Sequence, residues 1–168
     1  MPDFDAAENS LERVYKRWYP ILIQRAVADV AADLGRDVPL DATAAATVTE
    51  QIGARVKDVI STQRDRLATL VNTYDGNPDA LKAALQEALD TSELRAGVIA
   101  KTETRHVVNQ GRVLGMESAG LKQTLVFDGD EDDACASVNN TRQTLAWALA
   151  NPLGHPNCQR SFEVIEED

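Results

Sequence analysis

Apolar residues recur along most of this chain at the three- and four-residue steps of a helix, and only the last third changes rhythm. Leu11, Val14, Trp18 and Leu22 share one face, which continues with a small drift in phase through Val27, Val30 and Leu34. Such spacing predicts a first long helix. Pro20 lies inside it, so the helix should kink there or restart with the proline in its first turn, and Gly35 should end it. After the turn-like residues 35–39, a near-heptad run follows through Val48, Ile52, Val56, Val59, Gln63, Leu67, Leu70 and Tyr74. A seam of that length suits an antiparallel hairpin with the first helix. Internal packing is its expected use, a partner's helix the alternative.

Asp75-Gly76-Asn77-Pro78 reads as a turn and a helix start, with Asn77 as cap and Leu81, Leu85 and Leu89 as the buried stripe. Ser92 can cap a further helix, with Glu93 in its first turn and Leu94, Val98, Ile99, Val113 and Met116 on its apolar side, running to Gly120. Beyond Gly120 the pattern becomes that of strands. Gln123–Phe127 is β-branched and aromatic, and residues 160–165 partly alternate polar and apolar positions. An acidic turn, a short segment at 145–149 and a loop at 152–156 lie between them. The expectation is an α+β chain: an N-terminal helical hairpin over residues 1–90, then a compact module over 91–168 of one long helix against a small sheet.

Composition narrows the function. With 168 residues, of which 43% are hydrophobic, the chain can bury a core, and two Trp, three Tyr and three Phe make that core mainly aliphatic. Seventeen Lys and Arg against 27 Asp and Glu leave a charge of −10, which repels a phosphate backbone. Direct nucleic-acid binding is therefore not expected, and the basic clusters Arg13, Lys16, Arg17 and Arg64, Arg66 read as partners for acidic groups on other proteins. No stretch approaches membrane-spanning length and the N-terminus lacks the pattern of a signal peptide, so cytosolic synthesis without a membrane partner is the expectation.

The candidate chemistry sits near the end. Asp133-Ala134-Cys135 and His155-Pro156-Asn157-Cys158 carry both cysteines and one of two histidines. Cys135, His155 and Cys158 can bind zinc, with Asp133 or Asp132 completing a tetrahedron. A Cys135–Cys158 disulfide, or two buried thiols beside a hydrogen-bonded histidine, are the other readings. Each ties the terminal strand to the acidic loop. The run from Asp128 to Asp133 begins like a calcium-binding loop but fails, with Asp133 where a glycine is required and Asn139 where a bidentate glutamate is required. Farther upstream, Thr102, Arg105 and Asn109 share one helix face, and Glu103 and His106 form a neighbouring row.

The order Ala100-Lys101-Thr102-Glu103 with Asn109 and Gly111, then a strand, Asp132-Asp133-Ala134-Cys135 and His155-Pro156-Asn157-Cys158, resembles the C-terminal domain of phage Mu F-like head morphogenesis proteins. The resemblance covers roughly residues 90–166, and the N-terminal helices carry no comparable signature. It implies a minor head protein of a tailed phage or phage-like particle, made in host cytoplasm and carried in the head. Such a protein is structural and binds portal or major capsid subunits. It also implies that Thr102, Glu103, Arg105 and Asn109 form a structural polar network tying their helix to the cysteine loop. The family's further cysteine after His-Pro-x-Cys is replaced here by Gln159-Arg160-Ser161, so a four-thiolate site is excluded. Asn139-Asn140 stands where the family commonly places a glycine after the first cysteine. A head–tail connector or adaptor is the alternative in the same setting. From another class comes a zinc-dependent hydrolase, with Glu103 or Asp132 as base near His106. Against it stand the absence of His-Glu-x-x-His, of Gly-x-Ser-x-Gly and of a phosphate-cradling glycine loop.

Overall fold

The computed structural model describes residues 4–73, 78–129 and 133–165; the side chains at 78, 85, 89–94, 133 and 134 also lie outside that description. The first apolar row winds into α1 (Phe4–Asp33), a single helix that passes through Pro20 without restarting. Pro20 is exposed, so the carbonyl it leaves unpaired can bond to water. The buried face is one position round from the expected one. Tyr15, Tyr19, Ile23, Ala26, Val27 and Val30 are buried, whereas Val14 and Trp18 are 47% and 48% exposed. Two tyrosines at i and i+4 outcompete the neighbouring apolar row because their rings stack at 5.2 Å and the Tyr19 hydroxyl finds a buried partner.

Asp41 caps α2 (Ala42–Glu50) by accepting from the N–H groups of Thr43 and Ala44. After a turn at Gln51 the seam continues in α3 (Ile52–Asn72). Val48, Ile52 and Val56 are buried; Val59, Gln63, Leu67 and Leu70 are half-buried, and Tyr74 lies outside the described residues. Arg64 of α3 pairs with Asp5 near the start of α1, so the two helices run antiparallel as the periodicity predicts. The predicted cap at Asn77 also falls outside the described residues.

The next helix departs from expectation. α4 (Pro78–Ser118) is one helix of 41 residues, with no new start at Ser92, and the expected boundary between residues 90 and 91 falls inside it. Nothing between Asp79 and Ser118 is a proline, so no backbone donor is lost and a serine with capping chemistry simply stays helical. α4 packs parallel to α1. A Cβ on Gly111 would stand 2.8 Å from Cβ of Ala26 and 3.1 Å from Cα of Ile23, so that crossing requires glycine.

Beyond α4 the chain forms β1 (Gln123–Phe127), α5 (Asp133–Ala136), β2 (Thr141–Thr144), α6 (Leu145–Ala150) and β3 (Ser161–Val164). The strands make an antiparallel sheet in the order β2-β1-β3. β2 was not expected: Thr141-Arg142-Gln143-Thr144 has no apolar alternation, and at a sheet edge it needs none. One core joins Tyr15, Tyr19 and Ile23 to Val48, Ile52, Val56, Val107 and Leu114. A second packs Val30, Val113 and Met116 against Val126, Leu145, Ala148 and Phe162. The α+β architecture is thus the observed one. No described helix is long and apolar enough to cross a membrane.

Candidate metal centre

Sheet register brings the site together. Val126 pairs with Phe162 and Phe127 with Ser161, so the residues just after β1 lie beside those just before β3. Asp128 thereby meets Cys158 and Arg160. The loop between β1 and β2 is pinned in turn: Asn140 N–H donates to Val126 O at 2.8 Å, and Asn139 Oδ1 accepts from Asp128 N–H at 2.9 Å. Asn140 and Asn157 have φ of 57° and 63°, left-handed conformations that asparagine tolerates. The first supports the α5 turn carrying Cys135, the second the turn between His155 and Cys158.

Cys135, His155 and Cys158 converge, with one ligand atom from each lying within 4.8 Å of the others. The two cysteines are not disulfide-bonded, and their sulfurs stand 3.8 Å apart. Two thiolates each about 2.3 Å from one tetrahedral zinc would be about 3.8 Å apart, while a disulfide requires about 2.05 Å. Both cysteines are sealed, at 0% and 2% exposure. Cys158 Sγ accepts from the N–H groups of Gly154 and Arg160, each at 3.4 Å. Gly154 must lack a side chain, because its Cβ would come 2.5 Å from Cys135 Sγ and 2.9 Å from Arg160 Nη2. His155 Nδ1 is 2.9 Å from Pro156 O; a proton there leaves the lone pair on Nε2, the tautomer of a metal ligand.

Asp132 and the Asp133 side chain, expected to complete the site, lie outside the described residues. The described carboxylate at the sulfurs is Asp128, 2% exposed, with Oδ2 3.6 Å from Cys158 Sγ and 3.5 Å from Arg160 Nε. Arg160 is itself buried. Its Nη2 lies 3.4 Å from Cys135 Sγ, its Nη1 donates to Asn151 O at 3.0 Å, and its guanidinium covers the Trp147 ring. Burial, then the Asp128 and Cys158 side chains, push the Cys135 thiol up to about 12. Asp128 and Arg160 balance each other beside neutral thiols, and two thiolates would balance a divalent ion. Exchanging two protons for zinc therefore leaves the net buried charge unchanged.

The polar face of α4 grips the same segment. Thr102 Oγ1 accepts from Asn157 N–H at 2.9 Å, and Arg105 Nη1 donates to Cys158 O at 3.2 Å. Asn109 Nδ2 donates to Arg160 O at 2.9 Å and Pro152 O at 2.7 Å. Arg112 Nε then donates to Phe162 O at 2.8 Å. Sequence reasoning missed Arg112, Asp128 and Arg160. Arg112 continues the three- and four-residue steps from Thr102, which is the signal that would have found it.

Glu103 belongs elsewhere. Its carboxylate accepts from Tyr19 Oη at 2.7 Å and from Arg55 Nε and Nη2, both at 2.6 Å, so it joins α1 and α3 to α4. Burial opposes its charge, but the Arg55 fork outweighs burial and holds the carboxyl below its ordinary range. Burial, followed by repulsion from Arg55, lowers His106 to about 4, so its imidazole is neutral. Neither residue belongs to the cysteine–histidine cluster. No family model, curated protein or solved structure matches this chain.

Proposed function

We propose that this chain is a structural assembly component, a minor head protein of a tailed phage or phage-like particle that binds portal or major capsid subunits. Its C-terminal module is held by structural zinc on Cys135, His155 and Cys158. The observation that supports this reading is the convergence of the residues that carry the resemblance. Thr102 and Asn109 of α4 bond to the segment bearing Asn157 and Arg160, and both cysteines of the signature meet beside it. A site with both sulfurs sealed suits a structural ion, since a catalytic zinc keeps an open position. The test is retention in purified particles. Quantitative mass spectrometry should find the chain at a fixed ratio to portal subunits; failure to associate with either portal or capsid sinks the proposal.

The connector reading draws on one further feature. Val14, Trp18 and Ile21 form a stripe on the outer face of α1 and are each close to half exposed. A portal surface seated there would cover them. Trp18→Glu should then leave the fold intact and weaken portal association, whereas unaltered association would remove α1 as the contact.

A further inference from the structure

A groove of about 1630 Å³ runs along α4 beside the segment that leads into β3. Hydrogen bonds from Thr102 to Asn157, Arg105 to Cys158, Asn109 to Arg160 and Arg112 to Phe162 set helix and segment side by side, pointing the same way. Ala100, Thr104 and Val108, spaced by one turn, keep the helical wall low, and Phe127, 45% exposed, adds an aromatic surface. Charge is sorted along the groove. Lys101 and Arg105 line the end beside Asn157 and Cys158, and Glu163 lines the other end. Among the described residues none of these three forms an ion pair. Arg112 and Arg160, on the same walls, are instead paired with Asp33 and Asp128.

We propose that this groove binds an extended segment of a partner protein, acidic at one end, basic at the other and apolar between. Two unpaired cations on a chain of charge −10 reverse the local sign, so they draw acid to one end, while Glu163 repels it from the other. At about 1.5 Å rise per residue, the roughly ten α4 residues from the cations to the level of Glu163 span about 15 Å. An extended chain covers that distance in about five residues. The volume exceeds the roughly 300–1,000 Å³ of small-molecule pockets, which favours such a segment. Strand addition is not the mode, because the carbonyls of Arg160 and Phe162 already accept from Asn109 and Arg112. Side chains therefore carry the recognition. A phosphate backbone, negative along its whole length, would meet Glu163. The inference rests on neither a bound ion nor the assembly role.

The test measures fluorescence anisotropy of labelled, end-capped peptides on the full chain at low salt. Asp-Asp-Ser-Leu-Ser-Lys-Lys should bind saturably, and roughly tenfold or more tighter than Asp-Lys-Ser-Leu-Ser-Asp-Lys, which has the same composition. Lys101→Glu, at an exposed position, should abolish that preference. Glu163→Lys should transfer it to a peptide acidic at both ends. If either variant does not fold, the ranking of the peptides on the unaltered chain decides. Equal binding of the two peptides, or no saturation below about 1 mM, overturns the proposal. Tighter binding of an oligothymidylate than of the charge-sorted peptide also overturns it, in favour of nucleic acid. Self-association in sedimentation that Lys101→Glu removes assigns the groove to a second copy of this chain and overturns it as well.

Discussion

At Cys158 Sγ two backbone N–H groups and the Asp128 carboxylate meet a sulfur with almost no exposure to water. Each neighbour has a consequence that can be measured. Cys158→Ser removes a ligand from the proposed zinc site and should lower unfolding free energy by roughly 3 kcal/mol in zinc-loaded protein, read by chemical denaturation. Unchanged stability would reduce the cluster to ordinary packing. Gly154→Ala drives a methyl group into Cys135 Sγ and should cost about 1–3 kcal/mol while lowering zinc content, measured by elemental analysis. His106 gives a pH dependence in zinc-free protein. Its folded value, about 4, lies below the ordinary 6.5, so only the unfolded chain takes up the proton between those values. Stability from this group is whole above pH 6.5 and falls as pH drops toward 4, by roughly 3 kcal/mol in total. Glu103, held below its ordinary range, adds a further loss at lower pH still. A flat denaturation midpoint across that window would contradict the neutral buried imidazole.

Among the elements, α4 does two jobs with adjoining rows of side chains. One row, with Glu103, clamps α1 and α3; the other, from Thr102 to Arg112, holds the segment leading into β3. Glu103→Ala would leave Arg55 and the Tyr19 hydroxyl without their partner and should destabilise the chain by roughly 3 kcal/mol. A loss below about 0.5 kcal/mol would remove that clamp from the account. Element identity was largely legible, because helical periodicity is a long-range signal summed over many residues. Placement of faces was not. Val14 and Trp18 are as apolar as Tyr15 and Tyr19, and only a buried acid on another helix decides which row turns inward. Ser92 carried a start signal that α4 overrides, since a cap requires a helix that has first ended.

For the whole molecule, the cysteine–histidine cluster was readable because cysteine and histidine are rare and chemically distinct. Asp128 and Arg160 were not, because an acidic run and a lone arginine look alike whether solvated or buried; only the register of β1 with β3 sets them apart. The same register explains how a chain of charge −10 tolerates an arginine in its interior: its own carboxylate arrives from the opposite strand.

The row on α4 also bears on self-association. β3 is an edge strand, and the carbonyls of Arg160 and Phe162 at that margin accept from Asn109 and Arg112, so these two acceptors are already engaged. A protein crowded beside its own copies gains protection against runaway strand pairing, since another chain's margin finds these acceptors taken. Removing Arg112 should therefore show itself as concentration-dependent fibrous aggregation, seen by light scattering, before it shows itself as loss of helix.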